Sequence, residues 1–159
     1  MLLQELFTAS CIKVDLEAED KEEVFEELVD FLVRAYRLDK KRDPILQAIR
    51  EREGKLSTGI KAGIAVPHGK TDALEGIYGV MGISRKGIDY DALDGEPVHL
   101  IFLLVSSIED SAQHLRTLKK IALLIESTDF YTRVLEADTA EKAYAILRQF
   151  EDILEHQET

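Results

Sequence analysis

Residues 56–70 read Leu56-Ser57-Thr58-Gly59-Ile60-Lys61-Ala62-Gly63-Ile64-Ala65-Val66-Pro67-His68-Gly69-Lys70. A short apolar run, Ile64 to Val66, lies between Gly63 and Pro67. It reads as a brief buried strand that Pro67 stops, because proline has no N–H to give to a ladder. Gly69 is expected to let the backbone turn sharply just past His68. The pattern predicts a histidine held at the mouth of a strand with its ring facing outward.

Working outward, Cys11 to Leu16 alternates Ile12, Val14 and Leu16 on one side, which predicts a short edge strand. Asp20 with Glu23 marks the start of a helix over about 21–36, with Val24, Leu28, Phe31, Leu32 and Ala35 on its apolar face. Its Glu run at 22, 23, 26 and 27 reads as a solvated face near a helix start. Asp43-Pro44 opens a second helix, with Pro44 at the first position and Gly54 near the end. Arg50 and Arg52 fall in its last turn, where any cation complements the dipole. Ile77 to Ile83 reads as a strand whose glycines allow close packing, and Lys86-Gly87 and Asp94-Gly95 read as turns. Val98 to Val105 is almost continuously apolar, as expected of a central strand covered on both faces. His99 at its start reads as structural or merely exposed.

A third helix begins at Asp110, with Gln113 in a capping-box position. Its apolar stripe is Leu115, Leu118, Ala122 and Ile125. His114 lies in its first turn and shares a face with Leu118, Ile121 and Ile125, so its ring is expected to face the core side. Two more helices are predicted over 128–135 and 139–150, the last capped by Asp138 with Glu141. The element order indicates an α/β fold: a single domain with a mixed β-sheet flanked by helices on its faces. Residues 1–152 form this domain, and residues 153–159 read as a polar, frayed C-terminal tail.

The formal net charge is -11, which argues against binding nucleic-acid phosphates or anionic lipid. The one cysteine, Cys11, excludes an internal disulfide and fits a reducing, cytoplasmic setting. No apolar run approaches the ~20 residues of a membrane span, so no direct membrane insertion is expected. The first residues lack the features of a signal peptide.

Three side chains suggest chemistry. His68 can act as nucleophile, base or ligand. His114 at a helix start is biased toward neutrality beside N–H groups that favour an anion. Arg52 can grip two oxygens of a phosphate. Ser57 and Thr58 add hydroxyl donors. Together they suit holding a phosphoryl group on an imidazole. The spacing of zinc ligands is absent, so no metal is expected. There is no G-x-S-x-G elbow for a serine hydrolase. Gly69-Lys70-Thr71 has the last letters of a Walker motif, but its first glycine would fall at Ile64.

The run from Ser57 to Lys70 resembles the active-site segment of enzyme IIA domains of the fructose/mannitol type, from the bacterial phosphoenolpyruvate:sugar phosphotransferase system. The nitrogen-regulatory enzyme IIA proteins share that segment. Further pieces resemble the family in order: Glu51-Arg52-Glu53, then Asp94-Gly95-x-Pro97-Val98, then His114-Leu115-x-x-Leu118. The resemblance implies that His68 is the phosphorylated nucleophile, attacking through Nε2, and that His114 and Arg52 stabilise the phosphate. Ser57 and Thr58 would also hold its oxygens. One departure stands out: the family often has Gly-Asn-Gly where this chain has Lys61-Ala62-Gly63, and Lys61 would add a cation near the pocket.

The resemblance also implies partners. Phosphate would come from a phosphohistidine carrier protein and pass to an enzyme IIB component for sugar uptake, with no cofactor. Alternatively, the phosphorylation state would control contacts with a regulatory target protein. A degenerate domain that binds partners without being phosphorylated is disfavoured by the presence of both histidines and Arg52.

Overall fold

The computed structural model describes residues 1–59 and 62–157. The chain runs through helix α1 (Leu3–Leu6), a 3-10 turn, strand β1 (Ile12–Lys13), helices α2 (Lys21–Tyr36) and α3 (Arg42–Glu53), and strands β2 (Ile64–Ala65) and β3 (His68–Thr71). Strands β4 (Ile77–Ile88) and β5 (Val98–Ser107) follow, then helices α4 (Ser111–Ile125), α5 (Thr128–Leu135) and α6 (Ala140–Gln157). Among the described residues the strands form one five-stranded mixed sheet in the order β1-β4-β5-β2, with β3 also beside β5. The expected α/β class, mixed sheet and flanking helices are all present.

Strand β5 is the spine. It pairs antiparallel with β4 and parallel with β2 and β3, and its apolar run is buried on both faces. Ile101, Leu103 and Val105 enter a core shared with α2 and α3. Leu100, Phe102 and Leu104 enter a second core under α4, α5 and α6. This period of two decides which later side chains meet α4.

Several local expectations change. Strand β1 has only two residues, because a 3-10 turn takes up Cys11. Lys86-Gly87 lies inside β4 as an irregularity with Gly87 at φ +89°, rather than as a turn between strands. The glycines of β4 do allow close packing: a Cβ at Gly79 would lie 2.7 Å from Phe7. Helix α2 starts as expected, with the Asp20 carboxylate accepting from Glu23 N at 2.9 Å. It buries Phe25, Val29 and Val33 where Ala35 had been expected, since it packs on α3 as well as on the sheet. Helix α3 begins at Arg42, so Pro44 is its third residue, still within the turn whose N–H groups lack helical partners. Thr139, not Asp138, caps α6, accepting from Lys142 N at 3.2 Å. That helix continues past Asp152 to Gln157, through residues expected to fray.

Two differences bear on the site. Asp110 does not cap α4 with its side chain; its carboxylate instead accepts from Ser107 Oγ and Gly76 N. This ties the start of α4 to the end of β5 and to the turn before β4. The apolar stripe predicted as core is also displaced. Leu115 is 53% exposed and Ala122 is exposed, while His114, Thr117, Ile121 and Leu124 dock on the sheet. Helical periodicity finds an apolar arc but not which arc is covered. Among the described residues no helix is long and apolar enough to cross a membrane.

Candidate functional site

Strands β2 and β3 are two pieces of one path along β5. Ile64 pairs with Leu100 and His68 with Leu104, an unchanged register across Val66-Pro67. Pro67 removes one donor without ending the strand, and its carbonyl still accepts from Leu104 N at 3.0 Å. His68 therefore opens a strand segment rather than closing one. Gly69 is not a turn: it sits in β3 opposite Val105 without a positive φ. It is small because α3 crosses there; a Cβ would lie 2.7 Å from the Ala48 carbonyl carbon and oxygen. That close crossing brings the C-terminal end of α3 to the side of His68. Gly63, at φ +80°, turns the chain into β2 where a Cβ would overlap the Tyr131 hydroxyl.

His68, Arg52 and His114 share an open cleft of about 700 Å³, with Lys55, Lys70 and Ser111 on its walls. His68 is half-buried. Its Nδ1 lies 2.8 Å from Val66 O. A carbonyl only accepts, so Nδ1 carries the proton and Nε2 presents a lone pair. Burial lowers the His68 pKa from its ordinary 6.5, and the charges of Arg52 and Lys70 lower it further against the pull of the Val66 carbonyl and Glu53. The ring is neutral at physiological pH.

His114 comes from α4 and is 2% exposed. Its ring centroid is 5.5 Å from that of His68, with 59° between the planes. Burial first, then His68 and Lys70, hold its pKa down to about 4. Its Nδ1 lies 2.7 Å from Ser106 Oγ, and its buried Nε2 has no hydrogen-bond partner among the described residues.

The two arginines of α3 separate. Arg50 turns away to pair with Glu22 on α2, whereas Arg52 faces the cleft, steadied by an Nη1 donation to Leu56 O at 2.7 Å. The Thr58 hydroxyl is committed elsewhere: it donates to Glu53 Oε1 at 2.5 Å and lies 2.7 Å from the Tyr90 hydroxyl. Thr58 therefore anchors its loop and is not a free donor to the cleft. Ser57 Oγ accepts from Gly59 N at 3.1 Å. Lys61 lies outside the described residues, and Ala62 is exposed. His99 holds the Ser84 carbonyl through Nδ1 at 2.9 Å, as a structural residue would.

Three contributors were missed in the sequence. Lys70 stands two residues past His68, so strand alternation puts it on the same face. Glu53 has no periodicity or motif of its own that sets it apart from its acidic neighbours. Ser106 falls just past the strand predicted over Val98 to Val105. The arrangement as a whole is a neutral imidazole with a free Nε2 lone pair beside cations in an otherwise acidic chain. It can accept an anionic electrophile and share its charge.

A family model described as phosphoenolpyruvate-dependent sugar phosphotransferase system, EIIA 2, matches residues 5–150. The chain is 35% identical over 129 residues to the fructose-specific EIIA component of Haloferax volcanii, covering 81% of this chain and 83% of that protein. It is 35% identical over 149 residues to the fructose-specific EIIABC component of Bacillus subtilis, covering 94% of this chain but only 23% of that longer protein. The crystal structure of the nitrogen regulatory protein IIA-Ntr from Neisseria meningitidis matches with a TM-score of 0.82 at 29% identity, covering 91% of this chain and 98% of that one.

Proposed function

The chain belongs to the EIIA 2 family of the phosphoenolpyruvate-dependent sugar phosphotransferase system, and from that premise we propose that it carries a phosphoryl group on Nε2 of His68. The members of this family are phosphotransferases. The observation that carries the assignment to His68 is the bond from its Nδ1–H to Val66 O, which leaves Nε2 unprotonated in the cleft beside Arg52 and His114.

The donor is the phosphohistidine of a small carrier protein. His68 Nε2 attacks phosphorus in line as the donor's N–P bond breaks, and that bond's electron pair returns to the donor imidazole. No proton leaves His68. The positive charge that arises on its ring is shared through Nδ1–H with the Val66 carbonyl. The charge on the equatorial oxygens is met by the Arg52 guanidinium and the His114 ring, with Ser57 within the approach loop. These groups make a transfer site from protein donors alone, without a metal or cofactor. The phosphoryl group then passes to an enzyme IIB component of a sugar uptake system, in a cytoplasmic setting. The EIIABC name of the Bacillus subtilis relative joins A, B and C components and supports that acceptor.

A second reading is favoured by the likeness to IIA-Ntr: the phosphorylation state of His68 controls contacts with a regulatory target protein instead of feeding transport. The two readings share the first step and differ in the second.

The test of the first step is incubation with phosphoenolpyruvate, enzyme I and the carrier protein, followed by intact mass. An acid-labile phosphate is expected on the wild type and not on His68→Ala. Phosphate on the Ala variant would move the nucleophile elsewhere. Adding purified fructose-type IIB then separates the readings: rapid loss of label to IIB supports transport, and a stable label supports regulation.

A further inference from the structure

From Leu100 onward the even-numbered residues of β5 face the core under α4, and Leu100, Phe102 and Leu104 fill that face with apolar side chains. The next even position is Ser106, fully buried and set against His114. A hydroxyl there needs partners, because a buried polar group without one is costly. It has two acceptors in reach: Ser107 O at 3.1 Å and His114 Nδ1 at 2.7 Å. The Ser107 carbonyl already accepts from Asp110 N at 3.3 Å. Among the described residues the His114 Nδ1 has no other donor if its ring proton sits on Nε2.

We propose that Ser106 is a positioning residue: its hydroxyl donates to His114 Nδ1 and keeps the ring proton on Nε2, where it is a donor for a phosphoryl oxygen on His68. This rests on the reading of His68 as the phosphoryl carrier. Satisfaction of the buried groups carries it. In the opposite arrangement Ser106 donates to Ser107 O and Nδ1–H donates to Ser106. Nε2 is then a bare buried lone pair with no partner among the described residues, facing an incoming group whose oxygens are all acceptors. With the proton on Nε2, the same orphan nitrogen becomes a donor held ready on the buried wall of the cleft. The start of α4 is itself tied to β5 through Asp110 and Ser107, so the distance between Ser106 and His114 is set by the fold. His114 is the group that touches phosphate, and Ser106 acts through it.

The test has two arms. In the first, side-chain nitrogen NMR of uniformly labelled wild type at neutral pH reports the tautomer of His114. The proton is expected on Nε2; a proton on Nδ1 overturns the inference. In the second, Ser106→Thr and Ser106→Val add the same volume and differ in the hydroxyl. The Thr variant is expected to accept phosphate from the carrier protein at least tenfold faster than the Val variant, because without the hydroxyl the His114 proton is no longer held on Nε2 as a donor to the charged phosphoryl oxygens. Equal rates in the two variants overturn it. If the wild type takes up no phosphate on His68, the reading of function falls too. If His68 is phosphorylated but the proton sits on Nδ1, only the role of Ser106 falls.

Discussion

The rings of His68 and His114 lie 5.5 Å apart between centroids and tilted to one another, one from a strand beside β5 and the other from the helix above it. Two imidazoles this close cannot both be charged cheaply, and each is held neutral by burial and by nearby cations. Phosphoryl acceptance is therefore expected to be flat from neutral pH upward and to fall only in acid, below the ordinary histidine pKa. A rate that falls through pH 6.5 like that of a free imidazole would contradict the depressed pKa of His68. Single-turnover rates across pH 5 to 8 decide it.

The same shift enters stability. The folded pKa of His114 is about 4, against 6.5 for an ordinary histidine. Between those values the unfolded chain binds a proton that the folded chain refuses. Stability on this account is complete above pH 6.5 and is lost as pH falls toward 4, by about 2 kcal/mol between pH 6.5 and 5. His68 acts in the same direction. Urea unfolding at several pH values is expected to show a shallower acid slope for His114→Gln than for wild type. Identical slopes would mean that His114 is not buried neutral.

Arg52 tests the need for a fork rather than a charge. One arm is steadied by Leu56 O, which leaves the rest of the guanidinium in the cleft. Arg52→Lys keeps the positive charge and loses the planar pair of donors. Acceptance from the carrier protein is expected to slow by roughly tenfold or more, with the melting temperature little changed because the residue is half-exposed. A Lys variant as fast as wild type would show that charge alone suffices.

What was legible in the sequence was what pattern and chemistry mark locally. The continuous run of β5 announced a strand covered on both faces, and Ile64 to His68 marked the strand path that carries His68. What escaped depends on which surfaces meet. Leu115 and Ala122 have the spacing of core residues, yet the arc of α4 beside them docks instead. Gly69 has the sequence context of a turn, but its reason is the backbone of α3 crossing β3. Ser106 and Glu53 carry no local signal, since their partners lie on other elements.

Gly69→Ala follows from that crossing. The new Cβ would meet the Ala48 backbone at 2.7 Å, and no side-chain rotation relieves a clash with a carbonyl. Either α3 lifts from the sheet or the protein unfolds more readily, at a cost of about 1–3 kcal/mol. Lifting α3 also carries Arg52 away from His68, so acceptance is expected to fall along with stability. An Ala variant that keeps both the wild-type melting temperature and rate would remove the crossing as a constraint on the site.

Glu53 offers a finer contrast, because each of its oxygens has different neighbours. Oε2 accepts from Thr58 N at 2.9 Å and pairs with Lys21 Nζ at 3.0 Å. Oε1 accepts from Thr58 Oγ1 at 2.5 Å and from Tyr90 at 3.2 Å. Burial alone would raise the Glu53 pKa, but the bonds from Thr58 and Lys21 outweigh it and the net shift is downward. Its contribution is thus present above the ordinary carboxylate pKa and is lost as pH falls through the lowered folded value. In Glu53→Gln the amide oxygen can keep Thr58 N and Lys21. The amide NH2 can face the two hydroxyls, which are free to reverse and accept. Glu53→Ala leaves Thr58 N and Lys21 without that partner and unpins the loop whose Leu56 carbonyl steadies Arg52. The Ala variant is expected to lose about 3 kcal/mol and the Gln variant about 1 kcal/mol, with phosphoryl acceptance falling in the same order. Denaturant melts and single-turnover rates on both proteins check this together. A Gln variant as damaged as the Ala variant would mean that the charge on Glu53, and not its hydrogen bonds, holds the loop at the site.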